Sequence, residues 1–263
     1  MALLLAQPVL AGPPAEPWRH WQRFDPHATR TVDHSAWAAF LGRYVRPAAD
    51  GTTRVAYGEV TPADRQALET YLDDLARVPV GELARPEQMA FWINLHNALV
   101  VDLVLDHYPV DSIRRIDISP GPFARGPWRK PLIQVEGQPV SLHDIEHRIL
   151  RPIWRDPRVH YALNDGAVGC PNLRPEPYTG RNLDQALDRA ARAFVNDPRG
   201  MRIDADGLHV SSIYIWFEED FGGDDAGVIR HLLAYAKPET AMRLQEFEEI
   251  ASDSFDWRLN DVR

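Results

Sequence analysis

The spacing of apolar residues along the chain is mostly that of α-helices. Apolar side chains recur at three- and four-residue intervals in segments that begin at Asp33, Thr61, Arg85, Ser141, Leu183, Ser211, Val228 and Pro238. The segment from Arg85 to the stop at Tyr108-Pro109 is the longest, and its apolar residues occupy more than one face. We therefore predict that it forms a central, buried helix.

Only short segments show the alternation that is typical of strands. Residues 132–135 and 139–140 flank a turn, and residues 201–204 and 208–210 flank Asp206-Gly207, which indicates a hairpin. Residues 159–163 are also predicted as a short strand, and residues 255–259 as a final strand or strap. The predicted fold class is α+β, a mostly helical single domain around a long central helix with a small antiparallel sheet.

The ends of the chain suggest three parts. Residues 1–11 are apolar and end in Val9-Leu10-Ala11, which is typical of a signal segment, although no basic residue precedes Arg19. Residues 12–32 are predicted as a strap or linker, and residues 33–263 as one α+β domain. This organisation predicts a periplasmic or secreted protein, or a cytoplasmic one where the first segment is not a signal.

The charge balance narrows the classes of partner. Lys and Arg number 29 against 38 Asp and Glu, a net charge of −9. An acidic protein does not provide the positive field that nucleic acids and anionic membranes require. After residue 11 we also expect no membrane span. The expected partner is an unknown small molecule or peptide, with no cofactor and no metal, and the sequence leaves the oligomeric state open.

Two asparagines stand out in the long helix. Asn94 and Asn97 are three residues apart and share one face of it. An amide in an apolar helix lowers stability unless it finds a hydrogen-bond partner. Either the two side chains tie loops to the core or they line a binding cleft.

A second motif contains two histidines. The string His143-x-x-Glu146-His147 matches the H-x-x-E-H pattern of inverted zinc peptidases, in which two imidazoles bind zinc and a glutamate deprotonates water. Glu218 or Glu219 would then supply the third ligand. The alternative is a surface histidine beside a buried Glu146–His147 pair.

A third segment carries the only cysteine, Cys170. His160 precedes it on a predicted strand, and Gly166 and Gly169 would expose backbone N–H groups suited to an oxyanion hole. Cys170, His160 and Glu146 together could act as nucleophile, base and orienting carboxylate. The alternative is a packed structural loop with an inert thiol.

Four motifs in order resemble a known family. They lie at residues 91–98, 141–151, 160–171 and 212–221. In combination they resemble the domain of unknown function 547, with a distant similarity to papain-like and transglutaminase-like thiol folds. The resemblance implies no settled activity. Two positions depart from the family pattern: Asp165 stands where relatives often carry a second cysteine, and His143 where they often carry an acidic residue.

Three functions follow as hypotheses. The first is an exported thiol-dependent hydrolase or acyl-transfer enzyme with Cys170, His160 and Glu146 as catalytic residues. Its binding residues would be Asn94, Asn97, His147 and Asn164. The second is a non-enzymatic periplasmic binding module. The third is a zinc-dependent hydrolase built on His143, Glu146 and His147.

Overall fold

The structure, a computed structural model, describes residues 12–121 and 125–262. They form two compact units, a larger one of residues 15–194 and 256–262 and a smaller one of residues 12–14 and 195–255. The α+β class, with helices predominating and short antiparallel strand pairs, is confirmed. The predicted signal segment lies outside the described residues, and the predicted domain limits stay a prediction.

Helices make up most of the larger unit. Its α-helices are α1 (Ser35–Tyr44), α2 (Pro62–Ala76), α3 (Arg85–His107), α4 (Arg151–Trp154) and α5 (Leu183–Val195). A π-helix spans Asp144–Leu150 and leads directly into α4. Short 3-10 helices occupy Arg19–Gln22, Tyr57–Glu59, Val80–Glu82, Ile113–Arg115 and Pro157–Tyr161.

Helix α3 is the buried centre of the larger unit, as predicted. Pro86 lies in its first turn, and the helix ends before the Tyr108-Pro109 pair, where a proline disfavours helical backbone in the residue before it. Length and composition alone would allow α3 to cross a membrane, but 94% of its most apolar window is buried within the protein. It therefore has the properties of a core helix, apolar all round because other elements pack on every side.

Two strand pairs belong to the larger unit. Strands β1 (Val45–Pro47) and β2 (Thr53–Val55) pair antiparallel, as do β3 (Ile133–Val135) and β4 (Gln138–Val140). The second pair is the predicted hairpin, and both of its turn residues, Glu136 and Gly137, have positive φ angles, as a type I′ turn requires. The first pair was not predicted.

The smaller unit is built on a three-stranded sheet. Strands β5 (Met201–Asp204) and β6 (Gly207–Ser211) form the predicted hairpin, and β7 (Ser252–Ser254) pairs parallel to β6. Of the two alternatives for residues 255–259, a regular strand is not formed, since β7 ends at Ser254 and only Leu259 makes an isolated bridge, to Ala167. Helices α6 (Ser212–Trp216), α7 (Asp225–Tyr235) and α8 (Pro238–Leu244) complete this unit, with a 3-10 helix at Glu218–Phe221.

Candidate functional site

The π-helix positions the first two site residues, Glu146 and His147. Ser141 begins this helical segment as a reciprocal cap: its hydroxyl accepts the Asp144 N–H at 3.1 Å, and its own N–H donates to the Asp144 carboxylate at 3.0 Å. A π-helix carries more residues per turn than an α-helix, and such segments are frequent at functional sites. Here it places two consecutive side chains within one buried cluster.

Glu146 contacts two imidazoles. Its Oε1 lies 3.5 Å from Nδ1 of His160, and its Oε2 lies 3.7 Å from Nε2 of His147. Both distances are longer than ordinary hydrogen bonds and are charge contacts. The side chain of Glu146 is only 12% exposed and that of His160 only 2%, so solvent screens these charges weakly.

Burial and charge act in opposite directions on Glu146. Burial on its own raises the pKa of this carboxyl, but the neighbouring imidazoles of His147 and His160 outweigh it and hold the pKa well below its usual value. Burial lowers the pKa of His147 to about 4, although Glu146 acts against this shift. Near neutral pH the cluster therefore contains an ionised Glu146 and a neutral His147.

The side chains of the zinc motif are not arranged as ligands of one metal ion. The rings of His143 and His147 pack edge to face with centroids 4.8 Å apart, and Nδ1 of His147 lies 3.2 Å from the Arg151 guanidinium. Across residues 12–121 and 125–262, no group of three His, Cys, Asp or Glu side chains is placed to hold a metal ion. The motif's contribution to the site is the buried Glu146–His147 pair.

His160 reaches Glu146 from a helix, not from a strand. The prediction of a strand at residues 159–163 is wrong, because Pro157–Tyr161 is a 3-10 helix. Asp156 caps it by accepting the Arg158 N–H at 2.9 Å, and Pro157 fixes a helical φ in the first turn. The apolar and aromatic residues that suggested a strand are instead buried by tertiary packing.

Asparagine amides hold the loop that follows. Asn97 donates to the Ala162 carbonyl and accepts the Asn164 N–H, both at 2.9 Å. Asn164 donates to the Pro171 carbonyl at 2.8 Å, and Asn94 is bonded in the same two-sided way to the backbone of Tyr178. These contacts tie loops to α3, the first of the two alternatives, and a ligand-binding role for Asn94, Asn97 and Asn164 stays a prediction.

The loop's glycines do not form the expected oxyanion hole. The Gly166 N–H donates to Oδ1 of Asn164 at 2.9 Å, and the Gly169 N–H donates to the Asp256 carbonyl at 2.8 Å. That expectation is wrong, because both donors are already used within the protein. Gly166 has a φ of 68°, so its role is to allow the turn.

Cys170 is 5% exposed and lies inside this turn. Its Sγ accepts the backbone N–H of Asp165, with N and S 3.3 Å apart. A hydrogen bond to sulfur favours the thiolate over the thiol. This hydrogen bond joins the two ends of the turn, Asp165 and Cys170.

Asp165 belongs to a pair that the sequence did not reveal. Its Oδ1 lies 3.6 Å from Nε2 of His96, which is 1% exposed on α3. Burial raises the pKa of Asp165 to about 6; His96 opposes this shift and Glu146 reinforces it. The signal was a histidine between Asn94 and Asn97 in an apolar helix, where a polar side chain needs a partner. Two carboxyls with pKa values moved apart are typical of acid–base sites.

The fold and this cluster define an α+β protein with a group of buried imidazoles and carboxylates. One of these carboxylates, Asp165, lies in the same loop as the buried thiol of Cys170. The family model described as "Protein of unknown function, DUF547" matches residues 80–195, and the resemblance to that family is confirmed over this segment. His96, Glu146, His147, His160, Asp165 and Cys170 all lie within it. No curated protein and no solved structure matches the chain.

Proposed function

We propose that the protein is a thiol-dependent hydrolase or acyl-transfer enzyme. Cys170 is the nucleophile, His160 the general base and Glu146 the carboxylate that orients the base. The observation that carries the proposal is the buried contact of 3.5 Å between Glu146 and Nδ1 of His160. In nucleophile–base–carboxylate sites this contact fixes the tautomer and stabilises the imidazolium, so that the other ring nitrogen can take a proton.

The reaction proceeds in two balanced steps. His160 takes the thiol proton, the sulfur bonds to the acyl carbon, and the leaving group departs with its bonding electron pair and the proton from His160. In the second step His160 takes a proton from water or from another acceptor nucleophile. The oxygen or nitrogen bonds to the acyl carbon, the carbon–sulfur bond breaks, and the thiolate is restored.

Two features of the loop support the thiol as nucleophile. The Asp165 N–H at 3.3 Å supplies a hydrogen bond that stabilises negative charge on sulfur. The cluster also meets solvent, since the side chains of Glu146 and Asp165 are 12% and 23% exposed. A substrate can therefore approach along the two carboxylates although Cys170 itself is buried.

Alkylation by iodoacetamide tests the proposal, and the single cysteine makes the labelled site unambiguous. The matched reference is the same chain unfolded in urea, because burial of an inert thiol slows labelling whereas activation speeds it. At pH 6.5 we expect native protein to react about tenfold faster than unfolded protein. We also expect His160→Gln to lower the native rate at least about tenfold. The control His209→Gln changes a histidine of the smaller unit and should have no effect.

The opposite result would overturn the proposal. Native protein that reacts more slowly than unfolded protein, with no change in His160→Gln, would identify Cys170 as an inert buried thiol. Circular dichroism of each variant must match that of the parent, so that a slower rate reports chemistry and not unfolding.

A second candidate, a non-enzymatic binding module, is favoured by a separate observation. A cleft of about 560 Å³ lies along α1 and α2 and is lined by Arg30, Asp33, Tyr71 and Arg77 among others. Its volume is in the range of small-molecule sites. Melting temperatures with a panel of dipeptides test it: a true ligand should lose its stabilising effect in Arg77→Glu and keep it in Cys170→Ser. No shift with any dipeptide would count against a peptide ligand.

A further inference from the structure

The His96–Asp165 pair contains three buried polar atoms that lack a hydrogen-bond partner. Both ring nitrogens of His96, and Oδ1 of Asp165, make no hydrogen bond to any described part of the chain. His96 is 1% exposed, so bulk water does not solvate its ring. Five other buried side-chain atoms in the described residues share this property, but only here do atoms from two residues face each other, at 3.6 Å.

Such an arrangement is costly in a finished protein core. A buried donor or acceptor without a hydrogen-bond partner destabilises the folded state, because its hydrogen bonds to water are lost and not replaced. Most buried polar atoms in proteins are therefore paired, and each exception calls for an explanation. A site that receives its missing hydrogen bonds from a bound ligand is one such explanation.

The pair is adjacent to the proposed nucleophile. The backbone N–H of Asp165 donates to Sγ of Cys170 at 3.3 Å. Within one aspartate the carboxyl group lies within about 4 Å of the backbone nitrogen by bond lengths alone, so it is within roughly 8 Å of the sulfur. That distance is short enough for one substrate group to contact the carboxylate while its acyl carbon meets the sulfur. The side chain of Asp165 is also more exposed than that of Glu146.

We propose that His96 and Asp165 form a subsite that clamps the amide group of the substrate. A ring N–H of His96 donates to the carbonyl oxygen, and the carboxylate of Asp165 accepts the amide N–H. This inference rests on the proposed function and narrows its substrate class to amides that carry an N–H. It also supplies the oxyanion donor that Gly166 and Gly169 do not provide, since their N–H groups are occupied.

The clamp discriminates against esters and thioesters. These groups retain the carbonyl oxygen but replace the N–H with an atom that carries no hydrogen. Oδ1 of Asp165, which receives no hydrogen bond within the described residues, would then lie next to an oxygen lone pair, and sites built to bond an N–H reject such analogues strongly. The His96 contact does not discriminate, because both classes have the carbonyl oxygen that becomes the oxyanion when sulfur adds to the acyl carbon.

Two alkylating reagents of the same electrophilic type test the clamp. Iodoacetamide carries a primary amide, whereas methyl iodoacetate carries an ester, and with each the thiolate bonds to carbon as iodide leaves with its electron pair. The rate on native protein is divided by the rate on urea-unfolded protein for each reagent, which removes the intrinsic difference between reagents. At pH 7 we expect this ratio to be at least about tenfold larger for iodoacetamide, because a hydrogen bond to a charged group is stronger than one between neutral groups.

Variants separate the two halves of the clamp. Asp165→Ala keeps the backbone N–H to sulfur and should bring the two native-to-unfolded ratios together, because the contact that favours the amide N–H and the repulsion of the ester oxygen are both lost. His96→Phe should slow both reagents about equally, because both use the carbonyl contact. The matched control is Asp102→Ala, which removes another carboxylate with an unpaired buried oxygen and should retain the preference. If His96→Phe does not fold, the Asp165→Ala comparison decides alone.

The outcomes also distinguish this inference from the proposed function. If neither reagent labels native protein faster than unfolded protein, the proposed thiol chemistry fails and the clamp fails with it. If both reagents are accelerated equally, or if Asp165→Ala retains the preference, the clamp is overturned while the thiol chemistry stands.

Discussion

Each of the two units contains an arrangement of histidine and carboxylate, and the two arrangements differ in burial. In the smaller unit, Nδ1 of His209 lies 2.7 Å from the Ser252 hydroxyl and its Nε2 lies 2.9 Å from Asp204. In the larger unit, Glu146 and His160 are 3.5 Å apart. By hydrogen-bond distance alone, the serine–histidine–aspartate set of the smaller unit would be chosen as the catalytic one.

Burial reverses that choice. Ser252 is exposed on β7, Asp204 is one-third exposed, and Ser252 and His209 are direct register partners on β7 and β6. These are cross-strand contacts of a solvated sheet face, each of small energy. Glu146 and His160 are held away from water, where charges interact strongly and pKa values move. Residue types and distances identify both sets, and burial is the property that makes the Glu146–His160 set the better candidate site.

The largest expected effect is on stability when the buried carboxylate is neutralised. Glu146→Gln removes the buried carboxylate that His147 and His160 face, so both rings lose their charged partner, at a cost of up to about 3 kcal/mol. Asp204→Asn removes the corresponding charge from the exposed set and should cost less than about 1 kcal/mol. Urea unfolding at pH 7, followed by circular dichroism, measures both free energies of unfolding. Equal losses in the two variants would break the comparison.

The next effect is a dependence of stability on pH. Burial lowers the pKa of His147 to about 4, from about 6.5 in an unfolded chain. Between these two pH values the unfolded chain binds a proton at this site and the folded protein does not, so stability falls as the pH drops from about 6.5 to 4. The full shift corresponds to about 3 kcal/mol. Burial also lowers the pKa of His34, in the same unit, to about 4, so His34 adds to the loss of stability at low pH.

Variants assign this pH dependence to its sources. His147→Gln should reduce the fall in the free energy of unfolding between pH 7 and pH 4.5 by more than about half, since His34 remains and Asp165 opposes the fall. Asp165 acts in the opposite sense, because burial raises its pKa to about 6 and the folded protein takes up its proton first. Asp165→Asn should therefore make the fall steeper. His209→Gln is the control, and an unchanged slope in His147→Gln would contradict the assignment.

The sequence predicted elements whose signals are local. The long helix α3 and both predicted hairpins were found because periodicity and turn residues are read over a few positions. The partnership of Glu146 with His160 was also proposed from residue types, yet His160 was placed on a strand that is a 3-10 helix. Apolar side chains such as Val159, Tyr161 and Leu163 occur in strands and in helices alike. Pro157 in the first turn and the Asp156 cap favour the 3-10 helix that is observed.

What the sequence could not reveal depends on three-dimensional placement. A π-helix departs from the 3.6-residue period on which helical faces are assigned, so the side on which Glu146 lies was not predictable. His96 and Asp165 are distant in the chain, and nothing local indicates that they meet. The N–H groups of Gly166 and Gly169 were expected to be available for a substrate. Their acceptors are the Asn164 side chain and the Asp256 carbonyl, and the sequence does not show that the fold brings these oxygens to the two glycines.

The smallest expected effect concerns the serine of the exposed set. Ser252→Ala removes one hydrogen bond to His209 on a solvated strand, so the free energy of unfolding should change by less than about 1 kcal/mol. Ser252 should also resist diisopropyl fluorophosphate, a reagent for activated serines, because an exposed sheet face offers neither a dry pocket nor placed oxyanion donors. Intact-protein mass spectrometry detects the adducts of both reagents in one sample: iodoacetamide should add one group at Cys170, and diisopropyl fluorophosphate none. A diisopropylphosphoryl group on Ser252 would show that short hydrogen bonds suffice for activation without burial, and the choice of the buried cluster would lose its physical basis.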